Sequence, residues 1–406
     1  MKPSPKNLRI LTVLSLLGAL FTLIAPGKTT DIRLHAESDI LSIPDFAVPA
    51  SAVCWAALLV EVVLTLVAVM NFRRGTRDGK WLLPAFGLVF LLQTLVFLYA
   101  GKTLTLTALL AGSLALAVPL IFGSLAGAMS ERSGVVNIAI EGQLLAGAFS
   151  SALIASVTHS IWLGLLAAAV AGCLVAWVLA VFAIKYVVDQ IIVGVVLNVL
   201  VVGLTNFLFS TLMNDLATYN SPPRFDTLAI PLLSQIPVLG PVLFNQTPIV
   251  YLMYLAVAVV WVALFKTRWG LRVRAVGEYP KAADTVGIKV HLTRYLAVII
   301  GGGLAGIGGA FFTLGQVGAF GKEMTNGAGY IALAALIFGR WNPVYAAIAA
   351  LLFGFSENLQ FGLAILGSSV PSEFLLMLPY VLTVVAVAGF VGRVVAPAAD
   401  GKPYLK

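Results

Sequence analysis

Charge is scarce in this 406-residue chain: 17 acidic and 25 basic side chains make up 10% of it, with three histidines and two cysteines. Ordinary soluble domains carry about a quarter charged residues, so the shortage excludes a soluble enzyme. Cys54 and Cys173 both lie in apolar runs, which excludes a disulfide framework and a CxxC metal or redox pair. His35, His159 and His291 fall at three separate loops. No metal cluster and no Ser/His/Asp arrangement follows from them, and a membrane hydrolase is disfavoured. What fills the chain is apolar: 60% of residues are hydrophobic and the mean hydropathy is +1.01. Surface of that kind faces lipid, so the chain is read as a polytopic membrane protein of all-α class. A formal charge of +8 would suit nucleic acid only as a basic patch on a soluble face, and a lipid bilayer is the partner expected instead.

A helix needs about 20 apolar residues to cross roughly 30 Å of hydrocarbon. Such runs lie near 8–26, 48–70, 81–100, 104–128, 135–157, 161–184, 187–212, 248–265, 294–317, 329–340, 343–363 and 373–393. The reading is therefore about 12 (11–12) spans. The tenth is too short for a full crossing, and its Gly-rich entry predicts a broken or re-entrant helix packed against protein. With both termini inside, 20 of the 25 Lys and Arg fall on one side, leaving Lys28, Arg33, Lys102, Arg224 and Lys322 opposite. Positive charge resists translocation, so the asymmetry supports the count and the orientation. Lys2, Lys6 and Arg9 before the first run resemble a signal peptide, but Ala25-Pro26-Gly27 is a poor cleavage site and an uncleaved first span is expected. The outside loop 213–247 holds five prolines, which favour an ordered cap where an external partner could dock.

Several motifs carry no chemistry. Gly27-Lys28-Thr29 and Gly101-Lys102-Thr103 lack the upstream glycine of a phosphate loop. Gly301 to Gly306 spells GxGxxG inside an apolar span, where Gly302, Gly306 and Ala310 serve close helix packing instead. Polar groups in spans are more informative, because in lipid they face a cavity or a bundle interior. Ser130 to Gln143 carries Asn137, Glu141 and Gln143; Asn137 and Glu141, four apart, are expected on one helix face. Asp189, Asn198 and Asn206 repeat the theme, the last two again sharing a face. Two polar stripes suggest a translocation path, against the plainer reading that Asn137 and Gln143 tie neighbouring helices together. Glu61 stands alone in the second span, read as a protonated or helix-paired carboxyl, and Glu357 and Asn358 sit in the eleventh.

The inside stretch Arg272 to Ile288 has helix punctuation: Pro280 suits a first turn, Ala282 and Ala283 propagate it and Gly287 suits the stop. A helix of about seven residues is too short to stand alone in water, so it must dock.

At these two motifs the sequence resembles the permeases of ATP-binding-cassette importers, in the large family covering simple sugars, nucleosides and branched-chain amino acids. SERSGVVNIAIEGQLLAGA, Ser130 to Ala148, resembles the signature of the nucleoside branch, and GEYPKAADTVGI, Gly277 to Ile288, resembles the coupling loop. The likeness continues through Gly327 to Ala335. It divides the chain into an N-terminal extension with three spans (1–103), a permease core (104–396) and a cytoplasmic tail (397–406). The resemblance implies a separate ATPase subunit that uses the ATP, so that this chain is a transport subunit with no cofactor of its own. It also implies a second, related permease forming a heterodimer, an extracytoplasmic substrate-binding lipoprotein, and a bacterial cytoplasmic membrane location. It makes Gly277, Glu278, Pro280, Ala282, Ala283 and Gly287 coupling residues, with Arg274 in the same stretch. Asn137, Glu141, Gln143, Asn198 and Asn206 are assigned to the path on polarity and spacing. Asn137-Ile-Ala-Ile-Glu-Gly and Tyr330-Ile-Ala-Leu-Ala-Ala, each after a glycine cluster, suggest an inverted repeat. The expected cargo is a nucleoside. The alternatives are a simple sugar such as ribose with the same machinery, and a secondary transporter driven by an ion gradient with Glu141 or Glu357 as coupling carboxyl.

Overall fold

A computed structural model describes residues 5–34, 44–76, 81–214, 217–366, 377 and 395–405. They form two compact units. The first takes in described residues of 1–111, 231–244 and 357–392; the second those of 112–230, 245–356 and 393–406.

In the first unit, α1 (Pro5–Ile24) leads through β1 (Thr29–Arg33) and β2 (Phe46–Pro49) into α2 (Ala50–Arg73) and α3 (Leu82–Leu98), followed by β3 (Thr103–Thr105). The three strands form one sheet in the order β2-β1-β3, antiparallel then parallel. The purely helical expectation is thus corrected in the interspan loops, where Thr29, Thr30, Ile32, Thr103 and Thr105 bring β-branched side chains to short extended segments. Leu11, Ala68, Leu82 and Phe86 make the core between the three helices.

The chain then continues through α4 (Leu106–Glu131), α5 (Ile140–Thr158), α6 (Ile161–Ala180) and α7 (Gln190–Leu208). A two-stranded hairpin of β4 (Leu228–Ala229) and β5 (Asn245–Gln246) follows in the loop 213–247, and α8 (Leu239–Phe244) lies between its strands in sequence. Next come α9 (Pro248–Lys266), α10 (Arg268–Glu278), α11 (Pro280–Thr285), α12 (Val290–Ala310), α13 (Ala328–Phe338) and α14 (Pro343–Ile365). π-Helical turns extend α6 to Lys185, α7 to Met213 and α12 to Val317.

Among the described residues eight helices are long and apolar enough to cross a membrane, and three more are apolar but shorter, at Leu8–Ile24, Leu82–Leu98 and Ala328–Phe338. The protein is a multi-pass, mostly helical membrane protein. Of the expected span at 373–393, only residue 377 is among the described residues. At 11 residues, α13 reaches about 16 Å, half a bilayer core, as its length predicts.

The most enclosed helix is α5, packed against α6, α7, α12 and α13. Glycines allow this. A β-carbon on Gly306 would lie 2.1 Å from the Ala168 carbonyl oxygen of α6, and one on Gly309 would lie 1.9 Å from the Leu144 carbonyl of α5. The strip of small residues on α12 is therefore a packing face, as its spacing predicts.

One local expectation fails. The span expected from residue 135 starts only at Ile140. Gly134 turns the chain out of α4 with φ +86, and 135–139 is non-helical. Asn137 therefore lies in a connector and not on a helix face with Glu141. The unwound backbone is satisfied by side chains from α7: Val136 N–H donates to Gln190 Oε1 at 2.7 Å and the Ile138 carbonyl accepts from Asn198 Nδ2 at 2.8 Å.

Candidate functional site

The half-helix α13 begins at Gly327 without a capping side chain of its own, which leaves orphan N–H groups at its first turn. Glu141, in the first turn of α5 and 7% exposed, supplies the acceptors from across the bundle. Its Oε1 accepts from Thr325 Oγ1 at 2.6 Å and from Gly327 N–H at 2.9 Å; its Oε2 accepts from Gly329 N–H at 2.6 Å. An acidic group at a helix N-terminus is also favoured by the macrodipole.

The other end of the half-helix receives the opposite charge. Arg132 donates from Nε to the Trp341 carbonyl at 3.0 Å and from Nη2 to the Arg340 carbonyl at 3.2 Å. Trp341 Nε1 in turn donates to Glu131 Oε2. Thus a single run, Glu131 to Gln143, grips α13 at both ends.

Amides complete the cluster. Asn137 and Gln143, both fully buried, exchange two hydrogen bonds, Nδ2 to Oε1 at 3.2 Å and Nε2 to Oδ1 at 3.1 Å. Asn198 of α7 accepts from Gly142 N–H at 2.8 Å and donates to the Tyr330 hydroxyl at 3.1 Å as well as to Ile138. Asn206, two turns on, donates to Glu323 Oε1 at 3.0 Å, while its Oδ1 is buried without a partner. Of the five amide and carboxyl groups expected on the path, four spend their polar atoms inside the protein. Asn206 alone of the five keeps an acceptor in reserve. Asp189 has a separate task as an exposed N-cap, accepting from Ile191 and Ile192 N–H at 2.9 and 3.1 Å.

The stretch expected to couple folds as a helical hairpin. Thr267 Oγ1 caps α10 by accepting from Gly270 N–H at 3.0 Å. Pro280 opens α11, and Gly287, at φ +85, closes it, with Gly287 and Ile288 N–H donating to the Asp284 and Ala283 carbonyls at 2.9 and 3.0 Å. The docking expected of so short a helix is made by Ala283, 3% exposed among Val276, Val290 and Tyr404. Its neighbours Glu278, Tyr279, Lys281, Ala282 and Val286 are exposed. The two alanines of the motif thus divide, one seating the helix and one facing outward. Arg274 lies against the Phe265 ring, 5.1 Å from guanidinium carbon to centroid.

Gly277 connects this hairpin to the half-helix grip. A β-carbon there would lie 2.2 Å from the Arg132 carbonyl oxygen, so the turn that holds α13 rests directly on α10. The tail lies across the same place. Ala399 N–H donates to the Gly277 carbonyl at 2.8 Å and Ala398 N–H to Glu278 Oε2 at 3.3 Å. Arg294, 1% exposed, donates to the Ser133 carbonyl and to the Lys402 carbonyl, both at 3.1 Å. Burial pushes the Asp400 carboxyl up to about 7, against the pull of the Arg294 guanidinium. Sequence reasoning counted Arg294 only as an edge charge marking orientation and gave the tail no contact. The available signal was a charged residue opening an otherwise apolar span.

Residues 109–387 match the family described as branched-chain amino acid transport system / permease component. The chain is 42% identical over 310 residues to the guanosine ABC transporter permease protein NupQ of Bacillus subtilis (strain 168), an alignment covering 74% of this chain and 97% of that protein. It is 40% identical over 315 residues to the nucleoside ABC transporter permease protein NupC of Lactococcus lactis subsp. cremoris (strain MG1363), covering 74% and 98%. A second B. subtilis protein, the guanosine ABC transporter permease protein NupP, is 28% identical over 262 residues, covering 63% and 74%. No solved structure matches the chain.

Proposed function

The chain belongs to the family of branched-chain amino acid transport permease components, and from that premise we propose that it is the transmembrane subunit of an ATP-driven importer of nucleosides. The observation that carries the proposal is the 42% identity to a guanosine permease over nearly all of that relative's length. A separate ATPase docks on the exposed face of α10 and α11. A second, related permease completes the path, as the two B. subtilis guanosine permeases, NupQ and NupP, suggest. An extracytoplasmic binding lipoprotein delivers cargo at the loop 213–247. The spans number twelve with both termini in the cytoplasm of a bacterial cell, and ATP is used only by the partner.

The geometry supports a specific mechanical route. Displacement of α10 by the ATPase moves the Arg132 turn through Gly277, and that turn holds one end of α13 while Glu141 holds the other. The half-helix is the moving gate, and rocking it exchanges outward for inward access. Asn137, Gln143 and Asn198 meet cargo by exchanging internal hydrogen bonds for bonds to ribose hydroxyls or base edges, whereas the Asn206 Oδ1 has no internal bond to give up. Neutral polar cargo needs no charge partner.

The test is uptake of labelled guanosine and adenosine, with ribose as competitor, in cells with and without the gene, under a protonophore and separately under ATP depletion. Gene-dependent uptake that survives the protonophore and fails without ATP is expected. Loss under the protonophore at constant ATP would establish a gradient-driven transporter, and ribose competition would move the cargo to sugars.

A further inference from the structure

The helices α1, α2 and α3 bury a polar cluster that lies outside the family match and plays no part in the transport reading. Gln93 of α3 is fully buried; its Nε2 shares its two N–H groups among the Gly18 carbonyl at 3.0 Å, the Cys54 carbonyl at 3.2 Å and Thr22 Oγ1 at 3.0 Å. Thr22 Oγ1 shares its single hydrogen between the same two carbonyls, at 2.8 and 3.2 Å. Main-chain carbonyls only accept. They favour the amide with its nitrogen toward α1 and α2, because the flipped amide would set its oxygen against both carbonyl oxygens.

That orientation leaves Oε1 on the side of Glu61 of α2. A β-carbon placed on Gly18 would lie 2.3 Å from Glu61 Oε2 and 2.8 Å from Gln93 Oε1, so both oxygens share the notch that this glycine opens. Glu61 is 0% exposed, and both of its oxygens, together with Gln93 Oε1, have no hydrogen-bond partner. Among the described residues the ion pair found joins Arg33 and Asp45, and no described basic side chain pairs with Glu61. Two Glu61 oxygens in a helix of mean hydropathy 2.5, beside a Gln93 oxygen from α3 and with no donor among the described residues, make an arrangement that one proton completes. An ionised carboxylate facing an amide oxygen in that surrounding is prohibitively unfavourable.

We propose that Glu61 and Gln93 form an intramembrane proton-binding site in which Glu61 holds the proton as a carboxylic acid and donates it to Gln93 Oε1. One proton changes one Glu61 oxygen from acceptor to donor and satisfies Gln93. The remaining Glu61 oxygen becomes the acid's carbonyl, whose unmet capacity is better tolerated than a missing donor. The proton thereby closes the junction of α1, α2 and α3.

The test uses the full chain in nanodiscs of phosphatidylethanolamine and phosphatidylglycerol. Infrared spectra of the wild type minus those of Glu61→Gln are recorded at neutral pH, in sodium chloride and in choline chloride, in H₂O and D₂O. The expected difference is a protonated-acid carbonyl band that shifts in D₂O, present in both salts and missing from the variant. Carboxylate bands alone would overturn the proposal. So would an acid band in choline that converts to carboxylate bands in sodium, which would make the site one for a monovalent cation. Thermal unfolding supplies an independent reading. The amide introduced by Glu61→Gln retains a donor for Gln93 Oε1, so that variant is expected to unfold where the wild type does, and Glu61→Leu several degrees lower. A Glu61→Gln protein that fails to fold overturns the proposal, because the neutral amide reproduces the donor of the acid.

Discussion

A side-chain amide carries two donors and two acceptor lone pairs, and its value to a passing ligand depends on how many of them the protein has already taken. At Asn137 the reciprocal pair with Gln143 takes both ends of the group. At Asn206 the donor is used and the acceptor is not. The two positions should therefore respond oppositely to leucine. Asn137→Leu strands the Gln143 amide in a dry core, costing about 1–3 kcal/mol, and lowers the unfolding temperature along with uptake. Asn206→Leu leaves stability nearly unchanged and weakens cargo affinity or alters preference across a nucleoside panel. Unchanged affinity in Asn206→Leu would remove it from the path. Asp400 yields a pH dependence of known sign. Its folded-state value of about 7 stands above the ordinary 3.8, through burial and despite Arg294, with Glu131 a further neighbouring carboxyl. The protonated form favours the folded state, so this contribution is fully present below 3.8 and is lost as pH rises through about 7. Amide protection of residues 398–404, followed by hydrogen exchange, is expected to fall as pH rises over that window, and Asp400→Asn is expected to flatten the dependence.

At the scale of elements, legibility followed the range of the interactions that set each boundary. The short α11 could be read because its signals are local: proline at the first turn, glycine at the stop, and a length that demands docking; α10 before it was not foreseen. The short α13 could be read from its length alone. The connector 135–139 could not, since its helical pattern is broken by Gly134 and its backbone is satisfied by Gln190 and Asn198, more than fifty residues away. For the same reason Glu141 gave no sign in sequence that it caps a helix beginning at residue 328. The motif alanines were likewise indistinguishable until α11 was seated. With Ala283 packed on Val276 and Tyr404 and Ala282 exposed, substitution by aspartate separates docking from coupling. Ala282→Asp is expected to give a folded, inserted protein that assembles poorly with its ATPase and loses most uptake. Ala283→Asp buries an unpaired charge and is expected to dislodge α11 and the tail, exposing residues 398–404 to protease. Wild-type uptake by Ala282→Asp would remove the outward face of α11 from the ATPase contact.

For the whole molecule, hydropathy establishes that the chain lies in lipid, but it has no sign and does not say which way round. Direction comes from the basic side chains. Lys and Arg resist translocation, and the twelve-span arrangement that gathers 20 of 25 on one side also places the hairpin of α10 and α11 among them. A single slipped span would reverse every later loop, so the two long loops flanking α9 make the sharpest test, being separated by one crossing. Single cysteines are introduced at Asp226 and at Lys281, in a background with Cys54 and Cys173 replaced by alanine. A membrane-impermeant maleimide added to intact spheroplasts is expected to label the Asp226→Cys protein at once and the Lys281→Cys protein only after permeabilisation. Labelling of both from outside would break the crossing at α9, and the reverse pattern would invert the core. In the second case the exposed face of α11 would lie where no ATP is available, and the coupling route from Gly277 to the half-helix would lose its driver.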